Sequence, residues 1–399
     1  MYRARRFAVL GGLLLTTVAL AATLKSVLSF DLPGPPGKRF DYLTIDYDDY
    51  YLLSAHLAAG LLYVIDLRTN QVVKAIPDAP GVEGVEFVPE LKKVYTSNSG
   101  DNTIGVIDLK QMKVIKKLPT EAKPDGSAYA APFHKLYKLY VSDERAKAEA
   151  IVDVQQDKII KILHFDSETG MPQYDPVARK IYVNLQDQNV FAVINPATDE
   201  VVGRHSVGKC EGNHGMALDP EHRRAFLACE GNELMTVFDL EKHQPIAFLP
   251  LAKGPDVVKF DPGLKRVYVA CSSGAISVFQ EDDPEHFRKL EDFPVQKKVH
   301  SLAVDKDTHR VYAPEQEVDG RPAARMTVYE AIRVSLQHYV EFRNVTLRAT
   351  RLNLLMCGGS ETSETGALTD DPTRQIDGLR ISPDDSHCAE PRSVAAHSA

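Results

Sequence analysis

The chain contains no tryptophan, and its five cysteines in 399 residues are too few for a fold held together by disulfides. No two cysteines have C-x-x-C spacing, which argues against a structural zinc ribbon. The absence of a C-x-x-C-H motif excludes covalently attached c-type haem. A G-x-S-x-G motif is also absent, so the sequence does not support a serine mechanism of the α/β-hydrolase type.

Basic residues are not in excess. Lys and Arg number 47 against 55 Asp and Glu, which gives a formal net charge of -8, and we therefore do not expect nucleic acid among the partners. The hydrophobic and charged fractions, 44% and 26%, are those of a globular protein and exclude disorder over the whole chain. Only one apolar run is long enough to matter for a membrane, which excludes a polytopic membrane protein.

That run lies at the N-terminus and has the layout of a secretory signal peptide. Three arginines within the first six residues precede an apolar segment from Phe7 to Ala22, and Ala19-Leu20-Ala21 fits a signal peptidase site. We expect residues 1–22 to be removed on export, leaving a periplasmic or secreted protein without a membrane span. An uncleaved anchor is less favoured, because the segment is shorter than the roughly 20 residues of a membrane-spanning helix.

What the chain has in abundance is an internal repeat. Its most regular phrase is a basic residue, an apolar residue and an aromatic residue, as in Lys93-Val94-Tyr95. The aromatic positions recur every 42 to 45 residues, at Tyr95, Tyr140, Tyr182, Phe226, Tyr268 and Tyr312. A second phrase, an apolar run ending in Asp or a near substitute, recurs with a similar period at Asp66, Asp108, Asp153, Asn195, Asp239 and Gln280. A third phrase, most often Asp-Pro, precedes each basic residue.

Each repeat contains four short runs rich in Val, Ile, Tyr and Phe, separated by turn-forming residues, which is typical of strands. Four antiparallel strands in about 40–45 residues predict one blade of a β-propeller. Seven such units occur, so the predicted fold is all-β, a seven-bladed β-propeller over residues 23–331. The last unit has three strands, and Leu24–Phe30 is predicted to complete it and so remove free sheet edges. Residues 332–399 lie outside the repeat and are predicted to be a largely disordered tail.

The recurring Val-Tyr-Val, Ile-Asp-Leu and Asp-Pro phrases resemble those of the exported YVTN-type seven-bladed β-propellers of bacteria. The opening Arg39-Phe40-Asp41-Tyr42-Leu43-Thr44-Ile45-Asp46 is similar to that of one branch of the same family. The resemblance covers about residues 24–331. It implies the propeller fold and export, and it implies no particular activity, because most members of the family have none assigned.

Propellers bind ligands on the central axis, where the innermost strand of every blade contributes side chains. The repeat alignment places one residue of each blade at the same point of that strand. The seven residues are Asp41, Glu83, Asp125, Gly170, His214, Asp256 and His300, and all except Gly170 are ionisable. A second ring follows the second strands and consists of His56, Ser99, Glu144, Gln186, Glu230, Ser272 and Gln316. We predict that the acidic residues and histidines of the two rings are the ligand-binding side chains.

Carboxylates and imidazoles that converge in one funnel repel one another unless they are hydrogen-bonded, protonated or bridged by a cation. The sequence leaves open whether these side chains bind a ligand or only line a water-filled channel. If they hold a divalent metal ion, the expected ligands are His214, His300 and Asp256. The imidazoles would favour zinc, manganese or iron over calcium.

Two functions are compatible with such a pocket. The first is a binding or scaffold module that holds a small polar ligand or a cation and has no certain cofactor. The second is a metal-dependent, lactonase-like hydrolase in which Glu83 or Asp256 is the general base. We favour the first, because no catalytic motif accompanies the polar rings. The chain is expected to be a monomer whose partner is a small molecule or another protein.

The cysteines allow one disulfide. Cys229 and Cys271 occupy equivalent positions in neighbouring repeats, and Cys210 lies in the segment before the fifth. Export would permit a Cys210–Cys229 bridge, whereas the alternative is that these cysteines are small buried packing residues. The sequence does not decide between the two.

Overall fold

The computed structural model describes residues 22–133 and 136–332. The predicted signal peptide up to residue 21 and the predicted tail from residue 333 therefore lie outside the described residues. All described residues belong to one compact unit. Within the described ranges, none of the helical segments has the length and apolar character needed to cross a membrane.

The described residues form 28 strands in seven antiparallel sheets of four strands, and each sheet is one blade. Strand β1 (Leu24–Asp31) precedes blade 1, which comprises β2 (Leu43–Asp46), β3 (Tyr51–His56), β4 (Leu61–Asp66) and β5 (Gln71–Ile76). Blade 2 comprises β6 (Val82–Val88), β7 (Lys93–Asn98), β8 (Thr103–Asp108) and β9 (Lys113–Pro119). Blade 3 comprises β10 (Pro124–Phe133), β11 (Leu136–Asp143), β12 (Ala148–Asp153) and β13 (Lys158–His164).

Blade 4 comprises β14 (Thr169–Asp175), β15 (Lys180–Leu185), β16 (Val190–Asn195) and β17 (Glu200–Ser206). Blade 5 comprises β18 (Asn213–Asp219), β19 (Arg224–Cys229), β20 (Leu234–Asp239) and β21 (Gln244–Pro250). Blade 6 comprises β22 (Pro255–Asp261), β23 (Arg266–Cys271), β24 (Ala275–Asp283) and β25 (His286–Pro294). Blade 7 comprises β26 (Ala303–Asp305), β27 (Arg310–Val318) and β28 (Arg321–Ala331), with β1 as its fourth strand. Short 3-10 turns occupy Leu57–Ala59, Pro89–Leu91 and Gln186–Gln188.

The predicted seven-bladed architecture is confirmed, and the aromatic residues that mark the repeat explain how the blades pack. All six are in second strands and expose at most 3% of their surface: Tyr95, Tyr140, Tyr182, Phe226, Tyr268 and Tyr312. Phe226 of blade 5, for example, lies in one apolar cluster with Val267 and Phe279 of blade 6. The repeat therefore exists because each blade must bury its faces against both neighbours.

The ring is closed as the sequence predicts. Strand β1 pairs antiparallel with β28, from Leu24 opposite Ala331 to Asp31 opposite Arg325, so the first described strand completes the last blade. A single apolar cluster continues across the junction of blades 7 and 1 and includes Leu43. Strand β1 thereby covers the edge of β28 and gives blade 7 the same four strands as the other blades.

The aspartates at the ends of the first strands position the turns and join neighbouring blades. Backbone N–H groups of the following turn donate to Asp46, Asp175, Asp219, Asp261 and Asp305. Side chains of the next blade pair with three of them, Arg223 with Asp175, His309 with Asp261, and Tyr50 with Asp305 across the ring closure. The aspartate at the end of the first strand therefore marks a turn and, in three blades, a contact between blades.

A disulfide joins Cys210, in the segment before β18, to Cys229 at the end of β19. The bridge left open by the sequence is thus present in the structure. Cys271, at the equivalent position of blade 6, is a buried free thiol, and burial raises its pKa to about 11. A buried thiol with so high a pKa is unreactive.

The closing strand provides a test of the ring. Leu24 is 1% exposed in the core between blades 6 and 7, whereas Val27 of the same strand is 39% exposed. Because truncating a buried leucine costs about 2–5 kcal/mol, we expect Leu24→Ala to lower the melting temperature by about 4 °C or more. The control Val27→Ala should melt close to the unaltered protein, and deletion of residues 24–32 should be more damaging than either. Equal melting temperatures for all three in circular dichroism would contradict closure by β1.

Candidate functional site

A polar cavity of about 270 Å³ lies at the centre of the ring, where the first strands converge. Its lining comes from six of the seven blades: Arg39, Asp41, Tyr42, Glu83, Lys123, Asp125, Glu144, Gln186, His214, Glu230 and Asp256. A larger recess of about 670 Å³ lies at the surface beside β1 and contains no histidine in its lining. We take the central cavity as the candidate site, because six carboxyl groups from several blades meet an imidazole there.

Close backbone contact between neighbouring first strands positions the ring residues. A Cβ on Gly84 would lie 2.1 Å from the carbonyl oxygen of Asp125, and one on Gly215 would lie 2.0 Å from that of Asp256. Any side chain at these two positions would force the blades apart. Glu83 and His214 are therefore each followed by glycine, because the backbone carbonyl of the next blade's ring residue leaves no space for a Cβ.

His214 is at the centre of the site's electrostatics. Its Nε2 atom lies 3.1 Å from the hydroxyl of Tyr42 and 3.5 Å from a carboxylate oxygen of Asp256. Burial by itself lowers the pKa of His214, but the surrounding carboxylates, Asp256 first and Glu230 next, outweigh burial and raise it to about 9. In the free cavity, His214 is therefore protonated at neutral pH.

Burial raises the pKa values of three carboxyl groups in the cavity. Burial raises the pKa of Asp41 to about 7 and that of Asp125 to about 7, with the cations and imidazoles nearby opposing the shift. Burial and then the charge of Asp125 raise the pKa of Glu83 to about 8. Several carboxyl groups therefore share protons near neutral pH, because they cannot all be charged in so small a volume.

Two cations, Arg39 of blade 1 and Lys123 of blade 3, partly compensate the negative charge of the cavity carboxylates. Arg39 lies with its Nη2 3.4 Å from Asp41 and donates from Nε to His300, 3.1 Å away. Lys123 forms an ion pair with Glu144. His300 does not line the cavity directly, and Arg39 connects it to the ring.

Two groups of side chains in the central cavity could each hold a metal ion. The first is Asp125, Glu144 and His214, and the second is His214, Glu230 and Asp256. Within each group the ligand atoms all lie within 4.8 Å of one another. His214 belongs to both, so it would be a ligand of a single ion in either position. Carboxylates combined with imidazole suit zinc, manganese or iron.

The structure brings most of the predicted site residues together. Those that line the cavity are Asp41, Glu83, Asp125, Glu144, Gln186, His214, Glu230 and Asp256. His56 does not: it stacks on Phe40 with ring centroids 4.0 Å apart, and its Nδ1 is 2.8 Å from the hydroxyl of Tyr63. Burial lowers the pKa of His56 to about 4. His56 is therefore a neutral packing residue in blade 1, although the equivalent residues of blades 3 and 5, Glu144 and Glu230, line the cavity.

Three lining residues escape the sequence analysis, namely Arg39, Tyr42 and Lys123. The two cations share a signal that could have found them, because each precedes a ring carboxylate by two residues. Alternate residues of an extended chain project to the same side, so a cation in that place can reach the cavity. Tyr42 directly follows Asp41 and has no such signal.

Comparison with known proteins adds to the fold and not to the site. No family model matches the chain, and no curated protein is significantly similar to it in sequence. Among solved structures it is similar to a chain of the "Crystal Structure of Mitotic Checkpoint Complex", with 11% identity over 83% of this chain and 99% of that one at a TM-score of 0.66.

Two further structures show the same likeness. A chain of the "Kuenenia stuttgartiensis Hydrazine Synthase" is 15% identical over 77% of this chain and 97% of that one at a TM-score of 0.63. The "Structure of U3-55K" is 12% identical over 77% of this chain and 98% of that one at a TM-score of 0.64. At such identities these comparisons establish the β-propeller, and function must be argued from the site.

The protonation of His214 can be tested in solution. We expect nuclear magnetic resonance of its ring protons to give a pKa near 9, and we expect Asp256→Asn to lower that pKa because it removes the carboxylate with the largest raising effect. Asp283→Asn, next to the exposed His286, is the matched control and should leave the titration of His214 unchanged. A pKa of His214 below the ordinary value of about 6.5 would contradict this electrostatic account.

Proposed function

We propose that this protein is an exported binding propeller of the YVTN type whose central cavity holds a small cationic ligand. A divalent transition-metal ion on His214 is the occupant that fits best. The observation that carries the proposal is the convergence of carboxylates from several blades around one imidazole. Scaffolding of another protein is compatible with the fold, but no feature of the described residues points to a particular partner.

The charge of the cavity favours a cation. Six carboxyl groups line it, against Arg39, Lys123 and His214. With all groups in their ordinary states at neutral pH the acids exceed the bases, and protons make up part of the difference in the free cavity. A divalent ion would replace those protons and bridge carboxylates that otherwise repel one another.

The size of the cavity leaves room beside the ion. A water molecule occupies about 30 Å³ in the liquid, so a cavity of about 270 Å³ can hold an ion together with waters or a small polar ligand. Arg39 and Lys123 would then be available to contact an anionic group on that ligand. This combination suits a binding module that recognises a small polar molecule through a metal ion.

Two features support export. The N-terminal sequence has the layout of a signal peptide, with three arginines before the apolar segment. The Cys210–Cys229 disulfide is of the kind that persists in oxidising compartments such as the periplasm and extracellular space. If export is right, the natural protein should begin near Ala22 or Thr23, and reduction of the Cys210–Cys229 bridge should raise its intact mass by two hydrogens. Purification of the natural protein with free Cys210 and Cys229 thiols would contradict it.

The metal proposal is tested by titrating zinc, manganese and calcium chlorides into the full chain in a calorimeter. We expect zinc or manganese to bind more tightly than calcium, and His214→Ala to remove one equivalent of bound metal because it deletes the ligand common to both groups. His286→Ala is the control, since His286 is an exposed histidine that also faces a carboxylate. An unchanged stoichiometry in His214→Ala would overturn the proposal.

The same titration has an expected pH dependence. Because the pKa values of Asp41, Glu83 and Asp125 are raised to about 7 to 8, and that of His214 to about 9, an incoming cation must displace protons below these values. Affinity should therefore rise between pH 6 and about pH 9, with net proton release. Proton release is measured by repeating the calorimetry in buffers of different ionisation enthalpy. Affinity that is independent of pH over this range would show that the cation binds elsewhere.

A metal-dependent hydrolase is the second candidate, and the environment of Glu83 bears on it. With a pKa of about 8, Glu83 is largely protonated at neutral pH and suits a proton donor better than a general base. In a hydrolytic mechanism the base would therefore be Asp256, whose Oδ1 lies 3.5 Å from His214. Turnover of simple lactones by the metal-loaded protein, lost in Asp256→Asn, would favour this function over binding alone.

A further inference from the structure

A second cluster of ligand-type side chains lies between blades 5 and 6, and none of its members lines the central cavity. It starts from a departure from the repeat. The third strand of each blade contains the apolar run that ends in Asp or a near substitute. In four blades the residue directly after that run is apolar and buried, namely Leu67, Leu109, Val154 and Leu240. In blade 6 the same place holds Glu281, whose N–H donates to the carbonyl of Lys265 as that of Leu240 donates to the carbonyl of Arg223.

The side chain of Glu281 is fully buried. None of its surface is exposed, and neither carboxylate oxygen has a hydrogen-bond partner. An isolated buried carboxylate is strongly unfavourable unless it is neutralised or paired. The structure thus places a carboxylate where four other blades place an apolar side chain, and the imidazole beside it, His222, already contacts Asp219.

The neighbours of Glu281 are themselves metal-ligand side chains. His222 Nδ1 lies 3.2 Å from Glu281 Oε1 and 2.6 Å from Asp219 Oδ2. One ring nitrogen therefore faces two carboxylates and can donate its single hydrogen to only one of them. The ligand atoms of all three side chains lie within 4.8 Å of one another.

The local sequence of blade 5 is as unusual as that of blade 6. His222 occupies the fourth position of the Asp-Pro-Glu-His turn, where the turns after β14, β22 and β26 have Ala178, Leu264 and Thr308. Asp219 ends the first strand of blade 5. The equivalent aspartates of blades 4, 6 and 7 each pair with a side chain of the following blade. At Asp219 the short contact instead comes from His222 of its own turn.

We propose that Asp219, His222 and Glu281 form a structural site for a divalent transition-metal ion, best suited to zinc, that joins blade 5 to blade 6. Carboxylate oxygens and imidazole nitrogens are both zinc ligands, and three protein ligands leave a fourth position for water. Asp219 and Glu281 are buried, and the side chain of His222 is 19% exposed, which gives the site one route to solvent. The three ligands come from two blades, so a bound ion would join blade 5 to blade 6 and stabilise the contact between them.

The alternative neutralising agent is a proton. Burial, followed by the charge of Asp219, raises the pKa of Glu281 to about 7. In that case Glu281 is protonated below neutral pH, and its contribution to stability is lost as the pH rises through about 7. A metal ion acts in the opposite direction, because its ligands must be deprotonated and its stabilisation grows as the pH rises.

The test uses the full chain carrying His214→Ala, so that the central cavity does not contribute. We expect one equivalent of zinc to bind this protein and to raise its melting temperature. Adding Glu281→Leu restores the residue type of the other blades and should weaken zinc binding by more than about 100-fold, because a direct ligand is lost. Glu281→Gln, which keeps the shape, should do the same, and both variants should keep the circular dichroism spectrum of a folded β-protein.

Glu200→Leu, at an exposed position of β17, is the matched control and should leave zinc binding unchanged. Cobalt substitution gives a second readout, since a four-coordinate site gives intense visible absorption that should vanish in Glu281→Leu. Zinc that binds equally well with and without Glu281 would overturn the proposal. So would the absence of zinc binding in the His214→Ala protein, which would leave the shared proton as the neutralising agent. Because the two sites are removed by separate substitutions, either can fail without the other.

Discussion

The structure depends on the close approach of seven first strands to one another around the ring. The carbonyl oxygen of Asp125 lies only 2.1 Å from where a Cβ on Gly84 would be, and that of Asp256 lies 2.0 Å from where a Cβ on Gly215 would be. Contacts of this kind leave no freedom to slide, so they fix the separation of neighbouring ring residues through the backbone. The side chains of the cavity are therefore held near one another before any ligand binds, which is the preorganisation that binding sites need.

That backbone constraint holds only while the ring is closed. Strand β1 completes blade 7, and Tyr50 of blade 1 pairs with Asp305 of blade 7. The same junction brings Arg39 against His300. Opening the ring would therefore separate the arginine from the histidine and change the electrostatics of the cavity as well as the stability of the fold. The geometry of the site therefore depends on closure of the fold.

Much of the fold could be predicted from the sequence, because a propeller repeats one packing problem seven times. A period of 42 to 45 residues, carried by buried aromatics such as Tyr95, survives in a single sequence since each blade must bury the same positions. The ring residues could be located for the same reason. What the repeat could not give was chemistry particular to one blade. Tyr42 contacts His214 from the position after the ring residue, where blades 2 and 5 have Gly84 and Gly215.

His56 shows the limit of reasoning by equivalence. It aligns with Glu144 and Glu230, which line the cavity, yet it stacks on Phe40 and points its Nδ1 at Tyr63. The aromatic partners come from the segment before β2 and from β4, and they offer a histidine ring better packing than the cavity does. Equivalent backbone positions therefore share a location, while the side chain's direction is decided by the neighbours it finds there.

Glu281 is the opposite case, in which a break in the repeat is more informative than the repeat. In the central cavity an additional carboxylate enters a polar volume with cations and space for water, so its presence there is compatible with many roles. At Glu281 the carboxylate replaces a buried apolar side chain, and burying it without a partner is unfavourable. A leucine would satisfy the packing of blade 6 without that penalty. Glu281 lies directly against His222 and Asp219, so its burial calls for a neutralising group, and the three side chains together form the ligand set of the metal ion that we propose.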